Sequence, residues 1–92
     1  MTKDKAEELA LQALAWIAAS DDLMGVFLGA TGSSVDMVRA QATEPAFLGS
    51  VLDFLLMDDA WITGFCDAHR LDYSQPMRAR QMLPGGDVPN WT

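Results

Sequence analysis

Apolar residues recur every three or four positions along most of this chain, the spacing of an amphipathic helix. They nowhere alternate long enough to specify a strand, and no internal repeat is visible. The densest run lies between Phe47 and Met57. At about 100° per residue, Phe47, Leu48, Val51, Leu52, Phe54, Leu55 and Leu56 share an arc of about 200°. Gly49, Ser50, Asp53 and Met57 fall outside it. A surface helix needs a stripe only a little wider than about 100°. The pattern therefore predicts a central core helix over residues 45–57, contacted on most sides. Pro45 suits its first turn, where a missing N–H costs nothing.

The flanking segments read the same way. Thr2 is placed to cap a first helix that ends near Ala19, with Ala6, Leu9, Ala10, Ala13, Leu14, Trp16 and Ile17 inward. Its small alanines favour close packing on another helix. Ser20, Asp21 and Asp22 offer caps for a second helix from Asp22 to Ala30, with Leu23, Val26, Phe27 and Ala30 as its core face. Gly25 and Gly29 each weaken that helix by about 1 kcal/mol relative to alanine. Close approach of a neighbour along both glycines is the expected compensation. Gly32 suits a left-handed helix end, and Ser33 with Asp36 has the form of a capping box. A third helix is expected over Val35–Ala42, with Val35, Val38 and Ala42 inward. Asp58-Asp59 interrupts the apolar run and caps a fifth helix, Ala60–Arg70, whose apolar edge is Trp61, Ile62, Phe65 and Cys66, extended by His69. Ser74 or Gln75 caps a last helix, Pro76–Met82. The prediction is an all-α fold, a compact bundle of five to six short helices with mixed crossing angles. Residues 1–83 form the helical domain and 84–92 an extended C-terminal tail.

Length makes this a single domain with little core to spare, since 92 residues leave about a third of the unfolded surface exposed after folding. The charged start, Met1 to Glu8, lacks the apolar stretch of a secretory signal. No run approaches the roughly 18 apolar residues of a membrane span. A lone cysteine, Cys66, forms no internal disulfide, which fits a reducing compartment. These features together point to the cytoplasm. The net charge is −7 and the pI near 4.2. Such a body repels nucleic-acid phosphates and anionic membranes alike, and the charge itself serves solubility.

Candidate chemistry is sparse. The second and third helices, joined by Thr31-Gly32, have helix-turn-helix spacing, but the third carries only Arg39 and Gln41 for base edges, beside Asp36. Cys66 and His69 lie one helical turn apart, near Asp67 and Asp72, and are the candidate metal ligands or nucleophilic pair. A structural zinc site wants four ligands, and catalysis needs an orienting group and an oxyanion site. Packing for Cys66 and helix-end charge for His69 explain both residues more simply. Asp53, Asp58 and Asp59 read as solvated or capping carboxylates. No phosphate-binding glycine loop is present: Gly85-Gly86 follows a helix and precedes none. Arg70, Arg78 and Arg80 reverse the charge locally, either pairing with the acidic body or forming a patch for an acidic partner. Trp91 docks on its own body or is offered to another chain; burying its ring is worth about 2–3 kcal/mol. Met24, Met37, Met57, Met77 and Met82 read as core filler.

Ala13-Leu14-Ala15-Trp16-Ile17-Ala18, Phe27-Leu28 with Thr31-Gly32, Pro45-Ala46-Phe47-Leu48, Val51 to Leu56 and Phe65-Cys66 together carry a resemblance. On these residues the chain resembles a small uncharacterised family of bacterial proteins, mostly alphaproteobacterial, known as domain of unknown function number 3572. The resemblance covers most of residues 6–70. It implies a shared helical fold and transfers no catalytic role, cofactor or metal. The leading expectation is a cytoplasmic, non-enzymatic protein–protein interaction module, binding a protein partner or itself through an apolar surface. The alternatives are a helix-turn-helix-like DNA-associated regulator and a small metal-binding protein or enzyme using Cys66 and His69.

Overall fold

Short polar side chains cap the starts of four helices. The computed structural model describes residues 1–84, and among them six helices and no strand. Helix α1 spans Lys3–Ala18, with the Thr2 hydroxyl accepting from the Lys5 N–H. Helix α2 spans Asp21–Thr31, capped by Ser20, and α3 spans Val35–Gln41, capped by Ser34. Helix α4 is Pro45–Leu55, with proline in its first turn. Asp58 caps α5, Asp59–His69, by accepting from the Ala60 N–H at 2.8 Å. Helix α6, Gln75–Gln81, follows Ser74, whose hydroxyl and N–H both bond Asp72 instead of capping. Each side-chain cap is worth about 1 kcal/mol, a large share of the stability of so small a domain.

Two helices end in left-handed residues. Gly32 closes α2 at φ 69° and lets the Ser33 N–H reach the Leu28 carbonyl at 3.1 Å. Arg70 closes α5 at φ 55°, with the Leu71 N–H on the Cys66 carbonyl at 2.8 Å. Both are the long-range bond of a Schellman stop, one made with glycine and one with a residue that bears a Cβ.

Helices α1 and α4 form the centre, and α6 packs on both. On α1 the buried face is Ala6, Leu9, Ala10, Ala13, Leu14 and Ile17, as its periodicity predicts. On α4 Phe47, Leu48, Val51, Leu52, Phe54 and Leu55 are buried, as expected for the core helix. The helix is shorter than expected. It stops at Leu55 because the Asp58 cap must turn the chain into α5, and Met57 is left 72% exposed. Helix α2 leaves α1 at 117°, so the crossing angles are mixed. No single helix among the described residues is long and apolar enough to cross a membrane.

Several packing expectations are corrected. Phe27 alone is buried on α2, edge-on to Phe47 and Phe54 at 6.1 and 5.2 Å, while Val26 and Ala30 are exposed and Leu23 half-buried. Among the described residues no helix approaches Gly25 or Gly29: a Cβ at either would meet nothing within 4 Å. The steep turn out of α1 explains this, because it presses one edge of α2 on the core and turns the glycine side to solvent. On α3 only Val38 is buried, Ala42 is half-buried and Val35 exposed. Ser34, not Ser33, caps that helix. Met37, Met57, Met77 and Met82 are exposed rather than core filler, and Met24 is half-buried. The core is filled instead by apolar side chains of α1 and α4 together with Phe27, Val38, Phe65, Cys66, Ala79 and Leu83.

Candidate functional site

A groove opens where α1 ends. Ala19 closes α1, Ser20 starts α2, and the bend between them leaves Trp16 and Ala19 facing Leu23 and Val26. Helix α5 adds Trp61 from the other side, and the cleft so formed has a volume of about 540 Å³. Both indoles are anchored at one side by the core. Trp16 sits edge-on to Phe65 with centroids 6.1 Å apart, and Trp61 stacks on Phe54 at 4.5 Å. Gly64 makes room for Trp16, since a Cβ there would stand 3.0 Å from Trp16 Cζ2. Neither indole is fully buried, and Val26 is 51% exposed. The charged side chain lining the cleft is Asp22, and no Lys or Arg lines it.

The sequence placed Trp16 and Trp61 on core faces and so missed the cleft. The available signal was size: tryptophan is rarely buried whole, and two of them flank polar caps at Ser20 and Asp58. That both would face one opening depends on the 117° bend, which periodicity does not encode.

The residues singled out for chemistry do not converge. Cys66 is buried, and its thiol points to the Asp72 carbonyl at 3.7 Å. Burial foremost, then the Asp67 and Asp72 carboxylates, push its pKa above the ordinary value, so it stays a thiol. His69 is exposed and leans on Phe65, with ring centroids 4.8 Å apart. Among the described residues no group of three or more His, Cys, Asp and Glu side chains is arranged to hold a metal ion. Nor is any charged side chain buried there. Asp67 and Asp72 serve the turn instead. The Tyr73 hydroxyl donates to Asp67 at 2.7 Å, which raises the tyrosine pKa. The Ser74 hydroxyl and N–H donate to Asp72, which lowers that carboxyl's pKa.

The arginine group is likewise divided. Arg80 is engaged with Asp53 of α4, and its Nη1 donates to the Pro84 carbonyl at 2.9 Å. Arg78 is exposed on α6 and Arg70 exposed at the end of α5. Trp91 and the tail beyond Pro84 lie outside the described residues.

With the geometry in place, comparison with known proteins adds one finding. The family model described as "Protein of unknown function (DUF3572)" matches residues 3–86, from the first residue of α1 to beyond α6. The chain belongs to this family. No curated protein and no solved structure matches it. Membership in DUF3572 spans every helix that builds the cleft, so the cleft is formed wholly from the family-matched part of the chain.

Proposed function

We propose that this protein is a small cytoplasmic, non-enzymatic interaction module that binds a protein partner through the Trp16–Trp61 cleft. One observation carries the reading: an open apolar cleft between two half-buried tryptophans, on a fold with no buried charged side chain among the described residues. Aromatic side chains already ordered against the core make effective anchors, because little conformational freedom is lost when a partner covers them. Catalytic clefts, in contrast, hold titratable groups in shifted states. Asp22 is the ionisable side chain lining this one. The lone cysteine, Cys66, has no partner within the sequence for a disulfide, which supports a reducing compartment.

The test is reconstitution. Tagged wild-type chain and a Val26→Lys variant are used as bait in native cells, and captured proteins are then purified and titrated against both. A direct partner that binds wild type and a Met77→Lys control, but not Val26→Lys, is the expected result. If every reconstituted complex tolerates Val26→Lys, the cleft is not the binding surface and the reading fails.

A further inference from the structure

We infer that the segment seated in this cleft is a cationic amphipathic helix of a partner protein, with apolar side chains between Trp16 and Trp61 and lysines or arginines toward an acidic rim. The inference rests on the interaction reading above and names the chemistry of the partner.

Charge decides it. Asp22 lines the cleft beside Ser20, and further acids stand at the starts of the two helices, α2 and α5, that supply Leu23, Val26 and Trp61 to it. Asp21 and Asp22 occupy the first turn of α2, and Asp58 and Asp59 open α5 just before Trp61. The protein's cations lie elsewhere. Lys3 and Lys5 are at the opposite end of α1, about 15–20 Å from Trp16 at 1.5 Å per residue. Arg70 closes the far end of α5, Arg39 is on α3, and Arg78 and Arg80 are on α6. An apolar floor with an acidic margin is complementary to a helix that alternates apolar and basic faces. The indoles add to this, because a lysine or arginine beside an aromatic face gains cation–π attraction.

The other two occupants fit less well. A second copy would bring one acidic chain of net charge −7 against another, with an acidic cleft such as that at Asp22 on each side. Like charges across an interface oppose that pairing. The chain's own tail, residues 85–92, carries Asp87 and no Lys or Arg. It also departs from another face of α4. The Pro84 carbonyl lies beside Gly49 of α4, 3.4 Å from where a Cβ would stand. Gly49 is about 200° round the helix from Phe47 and about 140° from Phe54, the side chains that hold α2.

The probe is a synthetic peptide of about 18 residues made of leucine and lysine, with leucine at i, i+3, i+4 and i+7, titrated calorimetrically into the full chain. One-to-one binding is expected, weakened about tenfold or more by Val26→Lys and about tenfold by the Asp21→Asn/Asp22→Asn pair. A distal pair, Asp36→Asn/Glu44→Gln, should change affinity less than about twofold. Circular dichroism of each variant confirms that it is folded. The inference is overturned if a leucine–glutamate peptide binds as tightly, or if distal and proximal acid pairs weaken binding equally. Trp91→Ala raising peptide affinity about tenfold would show the tail as occupant, and self-association abolished by Val26→Lys would show a second copy; either overturns it. A native partner that needs Val26 but is not displaced by the leucine–lysine peptide would sink this inference and leave the interaction reading standing.

Discussion

Arg80 grips Asp53 at two points across the contact between α4 and α6: Nε donates to Oδ1 at 2.5 Å and Nη2 to Oδ2 at 3.1 Å. The same guanidinium reaches the Pro84 carbonyl through Nη1, so one side chain joins the core helix, the last helix and the chain leaving it. Gly49 permits the approach. A Cβ there would stand 2.9 Å from Arg80 Nη1.

The first prediction concerns this contact. The pair is partly screened, with side chains 15% and 58% exposed, so its worth is about 1 kcal/mol rather than that of a buried pair. Asp53→Ala should lower stability by about 1 kcal/mol and Arg80→Ala by somewhat more, because its methylenes also pack. Gly49→Ala should stabilise the Arg80→Ala chain by about 1 kcal/mol, the helix propensity gain, yet fail to stabilise the parent. Urea unfolding of the cycle measures this, and additive effects of Gly49→Ala and Arg80→Ala would refute the contact.

Gly25 and Gly29 behave differently. Both lie inside α2 with open space where a Cβ would go. Alanine at either should raise stability by about 1 kcal/mol through helix propensity and a less disordered unfolded chain. Thermal unfolding of the two single variants and the double variant gives the answer; loss of stability would mean that a neighbour packs there.

Helix ends supply the third test. Arg70 adopts φ 55° with a Cβ in place. Arg70→Gly should therefore stabilise by about 0.5–1 kcal/mol, while Gly32→Ala, at φ 69°, should destabilise by about 1 kcal/mol. Opposite signs in the two chemical denaturation midpoints are the expected pattern.

Cys66 provides a pH prediction. Its folded pKa lies above the ordinary value of 9.0 because burial disfavours the thiolate. The native state therefore keeps its proton where the unfolded chain has lost it. The thiol's contribution to stability is fully present below about pH 9 and is lost as pH rises toward the folded pKa. Reaction with a thiol reagent at pH 8 should be at least about 100-fold slower than in the unfolded chain. Equal rates would place the thiol at the surface.

Much of the fold was legible because helix caps and apolar periodicity are local. Thr2, Ser20, Asp58 and Gly32 act within one turn of their own position, and the α1 and α4 core faces follow from spacing alone. On α2, Val26 and Ala30 share a helical stripe with Phe27 but remain exposed, against what their spacing predicts. Spacing tells which residues share a face, and not how much of that face a neighbour covers.

The candidate site shows the same division more sharply. Sequence by itself determined that the chain is helical and acidic, because composition and periodicity carry that information residue by residue. It also brought Cys66 and His69 together on one turn, where only the tertiary structure separates a buried thiol from an exposed imidazole. The pairing of Asp53 with Arg80, 27 residues later, and the meeting of Trp16 with Trp61 were decided in three dimensions. Both depend on how helices cross, set by the 117° turn after α1 and by the close approach at Gly49, and crossing geometry arises from the packing of the whole chain.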